Sequence, residues 1–222
     1  MKYIVVDLEM NSVANKYQEE RALCGREVIE IGAVALDEQY QEIDSFKTFV
    51  KPQYNDEIKP YFERLTGIST EMVASAPVFE DAVREFCLWC QSIDDDLQIY
   101  QWSDSDMKQI LSEMNLKKIV FEKKNQSLLS DWFDFQKEFG EKLNLTRAVS
   151  LKNAVMYAGI EFSGAEHDAL DDARNTAVLL KIVRTPALCK NALEHVIDAL
   201  TFTPLSSTLG SMFNFAELGF SA

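Results

Sequence analysis

The chain opens on the run Tyr3-Ile4-Val5-Val6-Asp7-Leu8-Glu9, in which β-branched and other apolar residues lead into two acids. This pattern predicts a buried β-strand that ends in a pair of carboxylates. Residues two apart on a strand point to the same face, so Asp7 and Glu9 are expected to lie side by side. Two such carboxylates are costly to bury unless a positive charge lies between them. A divalent cation is the partner that this arrangement predicts.

A second cluster of charged residues is His167-Asp168-Ala169-Leu170-Asp171-Asp172. Within one helix, His167 and Asp172 would stand about 140° apart, so they converge only if His167 lies in the preceding loop. Asp168 is then the expected N-cap. Asp172 is predicted to face inward and Asp171 to face solvent. The inward face continues with small residues that favour close packing on a sheet: Ala169, Ala173, Thr176 and Ala177.

The segment Trp102-Ser103-Asp104-Ser105-Asp106 offers two more acids, and both remain candidates. Asp104 stands where an N-cap is expected, just before a predicted helix. Asp106 would lie in the first turn of that helix, from where it can point back toward the strand ends. We favour Asp106 as the next site carboxylate for this reason.

The composition is that of a globular domain with an acidic surface. The chain has 222 residues, 47% of them hydrophobic, which suits one domain with a full core. No apolar run is long enough to span a membrane and no secretory signal pattern opens the chain, so a cytoplasmic protein is expected. The net charge of −14 argues against avid binding to long nucleic acid, but not against a short oligonucleotide held by bound cations.

The cysteines do not indicate a disulfide framework in a chain of this length. Cys87 and Cys90 form a C-x-x-C pair, but they fall on the apolar stripe of a predicted helix at 79–92. No second Cys/His pair completes a zinc set. Both are therefore predicted to be small core residues.

The order of predicted elements is typical of an α/β fold, with a sheet covered by helices. Residues 12–25 are expected to form a loop. Strands are predicted at 3–9, 26–36, 43–51 and 97–102, with a further short strand ending at Val120. Helices are predicted at about 61–65, 70–74, 79–92, 105–114, 130–142, 151–158, 168–184 and 187–200.

The types of the candidate site residues indicate phosphodiester hydrolysis. Carboxylate oxygens are hard ligands that select Mg²⁺ or Mn²⁺ rather than zinc. Two such ions about 4 Å apart can hold the attacking and the leaving oxygen of a phosphodiester. An unprotonated histidine can accept the proton of the attacking water.

The combined motifs resemble those of the DEDDh 3′→5′ exonucleases, a family that includes RNase T and proofreading exonucleases. Asp7-x-Glu9, Asp106 and His167-x4-Asp172 look like its three motifs, and Pro60 to Ile68 is similar to an "LTGI" segment of several members. Together with Trp102 to Lys108, this segment points toward the RNA-trimming and KapD-like branch. The resemblance covers residues 2–184.

This resemblance implies an RNase H-like fold with a mixed five-stranded sheet flanked by helices. It implies two bound ions, Mg²⁺ or Mn²⁺. It also implies that His167 is the general base and that four acids are the metal ligands: Asp7, Glu9, Asp106 and Asp172.

The same matching implies the contacts with substrate. The backbone of Met10 would contact the terminal nucleotide, and Leu65 would wedge against the last bases. Met10 is bulkier than the residue usual at this place, which would narrow the nucleotide site. Ser105 replaces an aromatic residue of some RNA-trimming relatives, so stacking is expected from Phe62 or Trp102, or is absent.

The exonuclease domain is expected to span residues 1–184, followed by a C-terminal helix and tail over 185–222. The tail is too apolar for a simple disordered linker. It is expected to dock on the domain or on a protein partner. Its apolar side chains are Leu205, Leu209, Met212, Phe213, Phe215, Leu218 and Phe220.

Three functions remain open at this point. The leading one is a metal-dependent exonuclease acting on the 3′ end of single-stranded RNA or of short oligonucleotides. The second is DNA trimming or proofreading, because discrimination rests on contacts to the ribose 2′-OH. The third is a non-catalytic regulatory protein on the same fold, which the acidic charge and the apolar tail favour mildly. The presence of all five catalytic residues favours an enzyme.

Overall fold

The computed structural model describes residues 1–145 and 147–201. Its strands are β1 (Lys2–Ser12), β2 (Arg26–Leu36), β3 (Glu42–Phe49), β4 (Leu97–Gln101) and β5 (Trp132–Asp134). They form one sheet in the order β3-β2-β1-β4-β5. The β1–β2 and β2–β3 pairs are antiparallel, whereas β1–β4 and β4–β5 are parallel. The predicted mixed five-stranded sheet is confirmed.

Helices cover both faces of this sheet. They are α1 (Gln18–Leu23), α2 (Pro60–Thr66), α3 (Thr70–Ala74), α4 (Phe79–Ile93), α5 (Ser105–Lys117), α6 (Lys123–Ser130), α7 (Phe135–Lys142), α8 (Leu151–Tyr157), α9 (Ala169–Arg184) and α10 (Pro186–Thr201). One core cluster joins the sheet to α4, α5 and α6, and the other joins it to α7, α8, α9 and α10.

The alternation of side chains along β1 decides where its acids lie. Ile4, Val6 and Leu8 belong to the core cluster under α4 and α5. Val5 belongs to the cluster under α9. Because side chains alternate between the two faces, Asp7 follows Val5 onto the α9 face of the sheet.

Helix α9 packs unusually close to the sheet at Gly32 of β2. A Cβ atom added to Gly32 would lie 2.2 Å from the backbone carbon of Ala169 and 2.2 Å from the nitrogen of Leu170. Gly32 pairs with Asp7 across the β1–β2 ladder. The missing side chain therefore lets the first turn of α9 reach the strand residue beside Asp7. The predicted small face of the helix is confirmed, since Ala169, Ala173 and Ala177 are buried.

Replacing Gly32 with alanine is expected to destabilise the fold by about 3 kcal/mol, at the upper end of overpacking costs, because backbone atoms cannot rotate away. Urea unfolding measures this loss. The matched control is Gly140→Ala in α7, where an added Cβ meets no atom within 4 Å. That change is expected to be neutral or stabilising, since alanine is favoured over glycine in a helix. Equal stability of both variants would contradict the close packing of α9.

Two predicted elements around residues 120–134 are wrong. Val120 does not end a strand: the C-cap of α5, Lys118, is in the left-handed conformation, and Val120 is 82% exposed in the following loop. The helix predicted over 130–142 is split, because Trp132–Asp134 adds to the sheet edge as β5, beside Ile99 to Gln101 of β4. The sequence predicted one continuous helix here, whereas pairing with a distant strand decides the local structure.

Among the remaining predictions for the described residues, the one for 12–25 is wrong and the one for the cysteine pair is confirmed. The predicted loop at 12–25 contains the short helix α1. Cys87 and Cys90 are buried in the core beneath α4, as predicted. None of the described helices combines the length and the apolar content that a membrane crossing requires. The apolar tail at 202–222 lies outside the described residues.

Candidate active site

The first two acids lie near the carboxyl end of β1. Glu9 is buried and pairs with Glu30 of β2, immediately before a bulge at Met10. Asp7 is partly buried beside Gly32. Both side chains are on the face that α9 covers, so the sheet presents two adjacent carboxylates to the start of that helix.

Asp106 arrives from the neighbouring strand. β4 runs parallel to β1 and ends at Gln101, which lies beside Val6, so the chain leaves β4 next to Asp7 of β1. Asp106 follows in the first turn of α5 and is 5% exposed. Asp104 instead faces solvent and forms an ion pair with Lys108. The structure therefore brings Asp106, rather than Asp104, to the acids of β1.

Asp172 and His167 converge as the spacing predicts. His167 lies in the loop before α9 with a φ of 64°, and Asp168 caps the helix by accepting hydrogen bonds from the amides of Leu170 and Asp171. The backbone N–H of His167 donates to Asp172 Oδ2 over 3.3 Å. A non-glycine residue in this left-handed conformation is strained, which is frequent at functional sites.

His167 also reaches β1. Its Nδ1 lies 3.9 Å from Glu9 Oε1, and its side chain is half-exposed. Ligand atoms of Glu9, His167 and Asp172 all lie within 4.8 Å of one another. Residues more than 150 positions apart in the chain are thus gathered at one point, where the imidazole faces solvent beside the buried acids.

We call the four acids Asp7, Glu9, Asp106 and Asp172 the carboxylate cluster. Without a cation, their ionised forms are disfavoured by burial and by mutual repulsion. Burial, followed by the charges of Asp172 and Glu30, raises the pKa of Glu9 to about 9. Burial raises the pKa of Asp106 to about 7, although Ser105 donates a hydrogen bond that lowers it. Asp172 also has a pKa of about 7, raised by burial against the amide of His167. Burial and then the charge of Asp106 raise the pKa of Asp7 well above its usual range.

The carboxylate cluster fits divalent cations. Within residues 1–145 and 147–201, no lysine or arginine nitrogen lies within 4 Å of its oxygens, the His167 contact being its one ion pair. Asp172 Oδ1 is buried and has no hydrogen-bond partner. A buried carboxylate oxygen without a partner is costly. Hard oxygen ligands of this kind suit Mg²⁺ or Mn²⁺.

Glu30 and Lys47 fix the start of α9 to the sheet beside the site, and neither residue was predicted from the sequence. Glu30 is buried, and its Oε2 accepts a hydrogen bond from the Ala169 amide over 2.9 Å. Lys47 of β3 lies 3.1 Å from Glu30 Oε1 and also binds Asp168. These contacts tie the first turn of α9 to the sheet. The available signal was Glu30 itself, an acid between Ile29 and Ile31 in the apolar part of β2.

Replacing Lys47 with methionine is expected to destabilise the protein by about 2 kcal/mol, because buried Glu30 loses its cation. The double variant Glu30→Gln/Lys47→Met is expected to recover most of the loss, since glutamine still accepts the Ala169 amide. Lys108→Met removes an exposed pair and is the control, with an effect below about 0.5 kcal/mol. Urea unfolding distinguishes these cases, and a loss no larger than that of the control would refute the anchoring role.

The side chain of Asp171 was predicted to face solvent, but in the structure it binds the loop before α9. Its Oδ2 accepts a hydrogen bond from the Ala165 amide over 2.9 Å, and Gly164 leaves room for the carboxylate. The side chain is partly buried rather than free. Asp171 therefore shapes the loop that presents His167, because the loop backbone folds back onto α9.

The predicted substrate residues have different surroundings. Trp102 is 8% exposed and packs edge-on against Phe135 and Phe139, so its ring belongs to the core. This position argues against base stacking by Trp102. Phe62 and Leu65 are partly buried on α2. Met10 is partly buried and packs against the core beneath α4.

Asn11 explains how α2 is held near the carboxylate cluster. This buried residue of β1 lies two positions after Glu9. Its Nδ2 donates to the Glu57 carbonyl over 3.0 Å, and its Oδ1 accepts from the Lys59 amide over 3.2 Å. The segment entering α2 is thus fixed to the end of β1, which places Phe62 and Leu65 on an element beside the site.

Comparison with known proteins identifies the family. The model of the Exonuclease family RNase_T matches residues 4–180. This chain belongs to that exonuclease family. Its predicted membership of the DEDDh 3′→5′ exonucleases is confirmed, and the motif residues occupy one site on the expected sheet.

Two relatives named as exoribonucleases are about 30% identical to this chain in sequence. The human protein "ERI1 exoribonuclease 2" is 29% identical over 212 residues, covering 84% of this chain and 30% of the relative. The Xenopus laevis protein of that name is 31% identical over 175 residues, covering 69% of this chain and 25% of the relative. The matched part of this chain therefore spans only 25–30% of the length of these relatives.

A solved structure shares the fold. It is the nuclease domain of 3′hExo, described as a DEDDh family member bound to rAMP, with a TM-score of 0.66 and 20% identity. The likeness covers 81% of this chain and 90% of that domain. The predicted RNase H-like architecture is thereby confirmed.

Proposed function

We propose that this protein is a metal-dependent 3′→5′ exonuclease that hydrolyses phosphodiester bonds of single-stranded RNA or short oligonucleotides. One observation carries the proposal: four carboxylates without a lysine or arginine partner meet beside a half-exposed histidine within the described residues. Membership of the exonuclease family supports the reaction class.

We assign the site residues as follows. Two divalent cations, Mg²⁺ or Mn²⁺, would be held by Asp7, Glu9, Asp106 and Asp172. When bound, the ions supply positive charge to the phosphate and to the attacking and leaving oxygens. The choice of a hard cation follows from the all-carboxylate ligand set.

His167 is assigned as the general base. Its imidazole lies at the solvent side of the carboxylate cluster, where water can reach it, and it is not enclosed by the core. The unprotonated ring accepts a proton from the attacking water. Asp172 holds the His167 backbone through its hydrogen bond, and Asp171 holds the preceding loop, so α9 fixes the backbone that carries the imidazole.

Substrate contacts are assigned to β1 and α2. We propose that the Met10 backbone contacts the terminal nucleotide, and that Leu65 and Phe62 contact the last bases. The fixation of α2 to β1 through Asn11 supports this assignment. Trp102 is not retained, because core residues enclose its ring.

RNA is the favoured substrate class because relatives covering most of this chain bear the name exoribonuclease. The net charge of −14 favours a short single-stranded 3′ end over a long polyanion. We also propose a cytoplasmic location, on the basis of the sequence alone.

For the domain organisation, we propose an exonuclease domain at 1–184 and an accessory segment at 185–222. Within the described residues, Ala192 and Val196 of α10 are buried in the cluster that contains α8 and α9. We propose that the apolar tail beyond α10 binds this domain or a protein partner.

The test uses 5′-end-labelled single-stranded RNA and DNA oligomers with Mg²⁺ or Mn²⁺, with EDTA and Asp106→Ala as controls. A ladder that shortens from the 3′ end, and that both controls abolish, is expected with RNA. Preferential shortening of DNA would replace the RNA assignment. No shortening with either metal would reject the exonuclease and favour a non-catalytic role.

A further inference from the structure

A second group of buried charges lies outside the proposed catalytic machinery. Glu27 of β2 and Glu113 of α5 have no exposed surface, and the Lys117 side chain is 5% exposed. Lys117 Nζ lies 3.0 Å from Glu27 Oε1 and 2.7 Å from Glu113 Oε1. We call these three residues the buried triad. Buried salt bridges contribute little net stability, because removing the charges from water costs about as much as their attraction returns. We therefore expect the triad to have a role other than stability.

The triad holds the strand bulge beside the site. Glu113 Oε2 accepts a hydrogen bond from the Val28 amide over 2.8 Å. Glu9 pairs with Glu30, but the next residue, Met10, pairs with Val28, so the register shifts at this point. Glu113 thus binds the β2 backbone at the bulge. On β1, this bulge separates Glu9, a proposed metal ligand, from Met10, a proposed nucleotide contact.

Glu27 extends the same network to the loop after β3. Its Oε1 accepts from the Gln53 amide over 2.7 Å, and its Oε2 accepts from the Tyr54 amide over 2.8 Å. Lys117 therefore neutralises two acids that bind different parts of the backbone. A single side chain of α5 joins β2, this loop and the helix.

Helix α5 also carries Asp106. Glu113 and Lys117 follow it by about two and three turns, on a rigid element. Asp106 has little hydrogen-bond support of its own, since Ser105 Oγ is 3.5 Å away. The start of α5 is held by Gln101 Oε1, which accepts from the Met107 amide over 2.9 Å. The triad supplies the second fixed point, which sets the rotation of the helix about its axis.

We propose that Glu27, Glu113 and Lys117 are positioning residues of the metal site. They lock α5 to the bulge of β1 and β2, so that Asp106 meets the carboxylates of β1 in one geometry. The inference rests on the proposed function, because it concerns binding of the cations by the carboxylate cluster.

The experiment compares two double variants of the full chain. Glu113→Leu/Lys117→Met removes the ion pairs and the acceptor for the Val28 amide. Glu113→Gln/Lys117→Met removes the ion pairs but keeps an acceptor of similar shape. Mn²⁺ binding is measured by titration calorimetry, and protection of the Val28 amide by hydrogen exchange. The leucine variant is expected to bind Mn²⁺ about tenfold more weakly, and the glutamine variant about threefold.

A control separates positioning from general destabilisation. Phe86→Leu in α4 alters the core on the face of the sheet opposite the carboxylate cluster, where the ring packs against Phe46, Trp89 and Trp132. It is expected to lower the Tm while leaving Mn²⁺ affinity within about twofold of the wild type, since distant sites act independently. If the metal affinities of all variants simply followed their Tm values, the triad would be structural only.

The remaining outcomes are also decisive. Unchanged Mn²⁺ affinity in the leucine variant, with faster exchange at Val28, would overturn the positioning role. Should that variant not fold, unchanged affinity in the glutamine variant would overturn it equally. Absence of Mn²⁺ binding and of RNA shortening in the wild type would instead reject the proposed function itself.

Discussion

Replacing Asp172 with asparagine is expected to reduce kcat on single-stranded RNA by about 10³-fold or more. Asparagine has nearly the same shape and still accepts the His167 amide, but it lacks the negative charge that binds a cation. Loss of a metal contact costs several kcal/mol of transition-state stabilisation, and each 1.4 kcal/mol is about tenfold in rate. Initial rates with 5′-labelled RNA at saturating Mg²⁺ measure the effect.

Asp171→Asn is the matched control for this change. It removes a charge from the adjacent residue, and asparagine can still accept the Ala165 amide that Asp171 binds. Its kcat is expected to stay within about threefold of the wild type, because the asparagine oxygen keeps the hydrogen bond that holds the loop and only the charge is lost. If Asp172→Asn kept more than a tenth of the wild-type rate, Asp172 would not belong to the metal site.

The second large effect is on the stability of the metal-free protein, which is expected to fall as the pH rises. Asp106 and Asp172 have folded-state pKa values of about 7, and Glu9 of about 9. In the unfolded chain, these groups titrate near about 4. Between these limits the folded protein binds more protons than the unfolded chain, so the free energy of unfolding decreases with rising pH. The loss runs from about pH 4 to pH 7, and continues to about pH 9 for Glu9.

Added Mg²⁺ is expected to reverse this loss, and more strongly at pH 8 than at pH 6, because the cation binds the ionised carboxylates. A ligand at about 100 times its Kd stabilises by about 2.7 kcal/mol. For a chain of this length that raises the Tm by roughly 5–10 °C. Thermal unfolding in EDTA and in Mg²⁺, at both pH values, measures the loss of stability with rising pH and the gain from Mg²⁺.

The control for the pH effect is the double variant Asp106→Asn/Asp172→Asn. It keeps nearly all of the acidic surface, so general charge repulsion remains, while the cluster loses two charges. Its metal-free stability is expected to depend less on pH, and its Tm to respond little to Mg²⁺. A wild-type protein that became more stable from pH 6 to pH 8 in EDTA would contradict the proposed burial of these acids.

Much of the site was accessible from local patterns. A strand of β-branched residues fixes the shared face of Asp7 and Glu9, because the side-chain period is two. The N-cap at Asp168 and the helix after it fix the offset between His167 and Asp172, because helix geometry is regular. These relations involve residues a few positions apart, and the structure reproduces them.

Other features depended on partners distant in the chain. The sequence around Trp132 predicted a helix, but pairing with β4 makes this segment a strand. Trp102 was a candidate for base stacking, yet the packing of α7 encloses it. In both cases the local pattern was compatible with two structures, and a tertiary contact, with β4 in the first case and with α7 in the second, selected one.

The sequence by itself thus determined the acids, the histidine, their order and the class of fold, because local periodicity and spacing encode them. Only the tertiary structure decided how the five residues meet and what holds them there. Gly32 admits α9 to the sheet, Glu30 and Lys47 anchor its first turn, and the buried triad anchors α5. These contacts join residues far apart in the chain, and their energies arise only when burial removes water from charged groups.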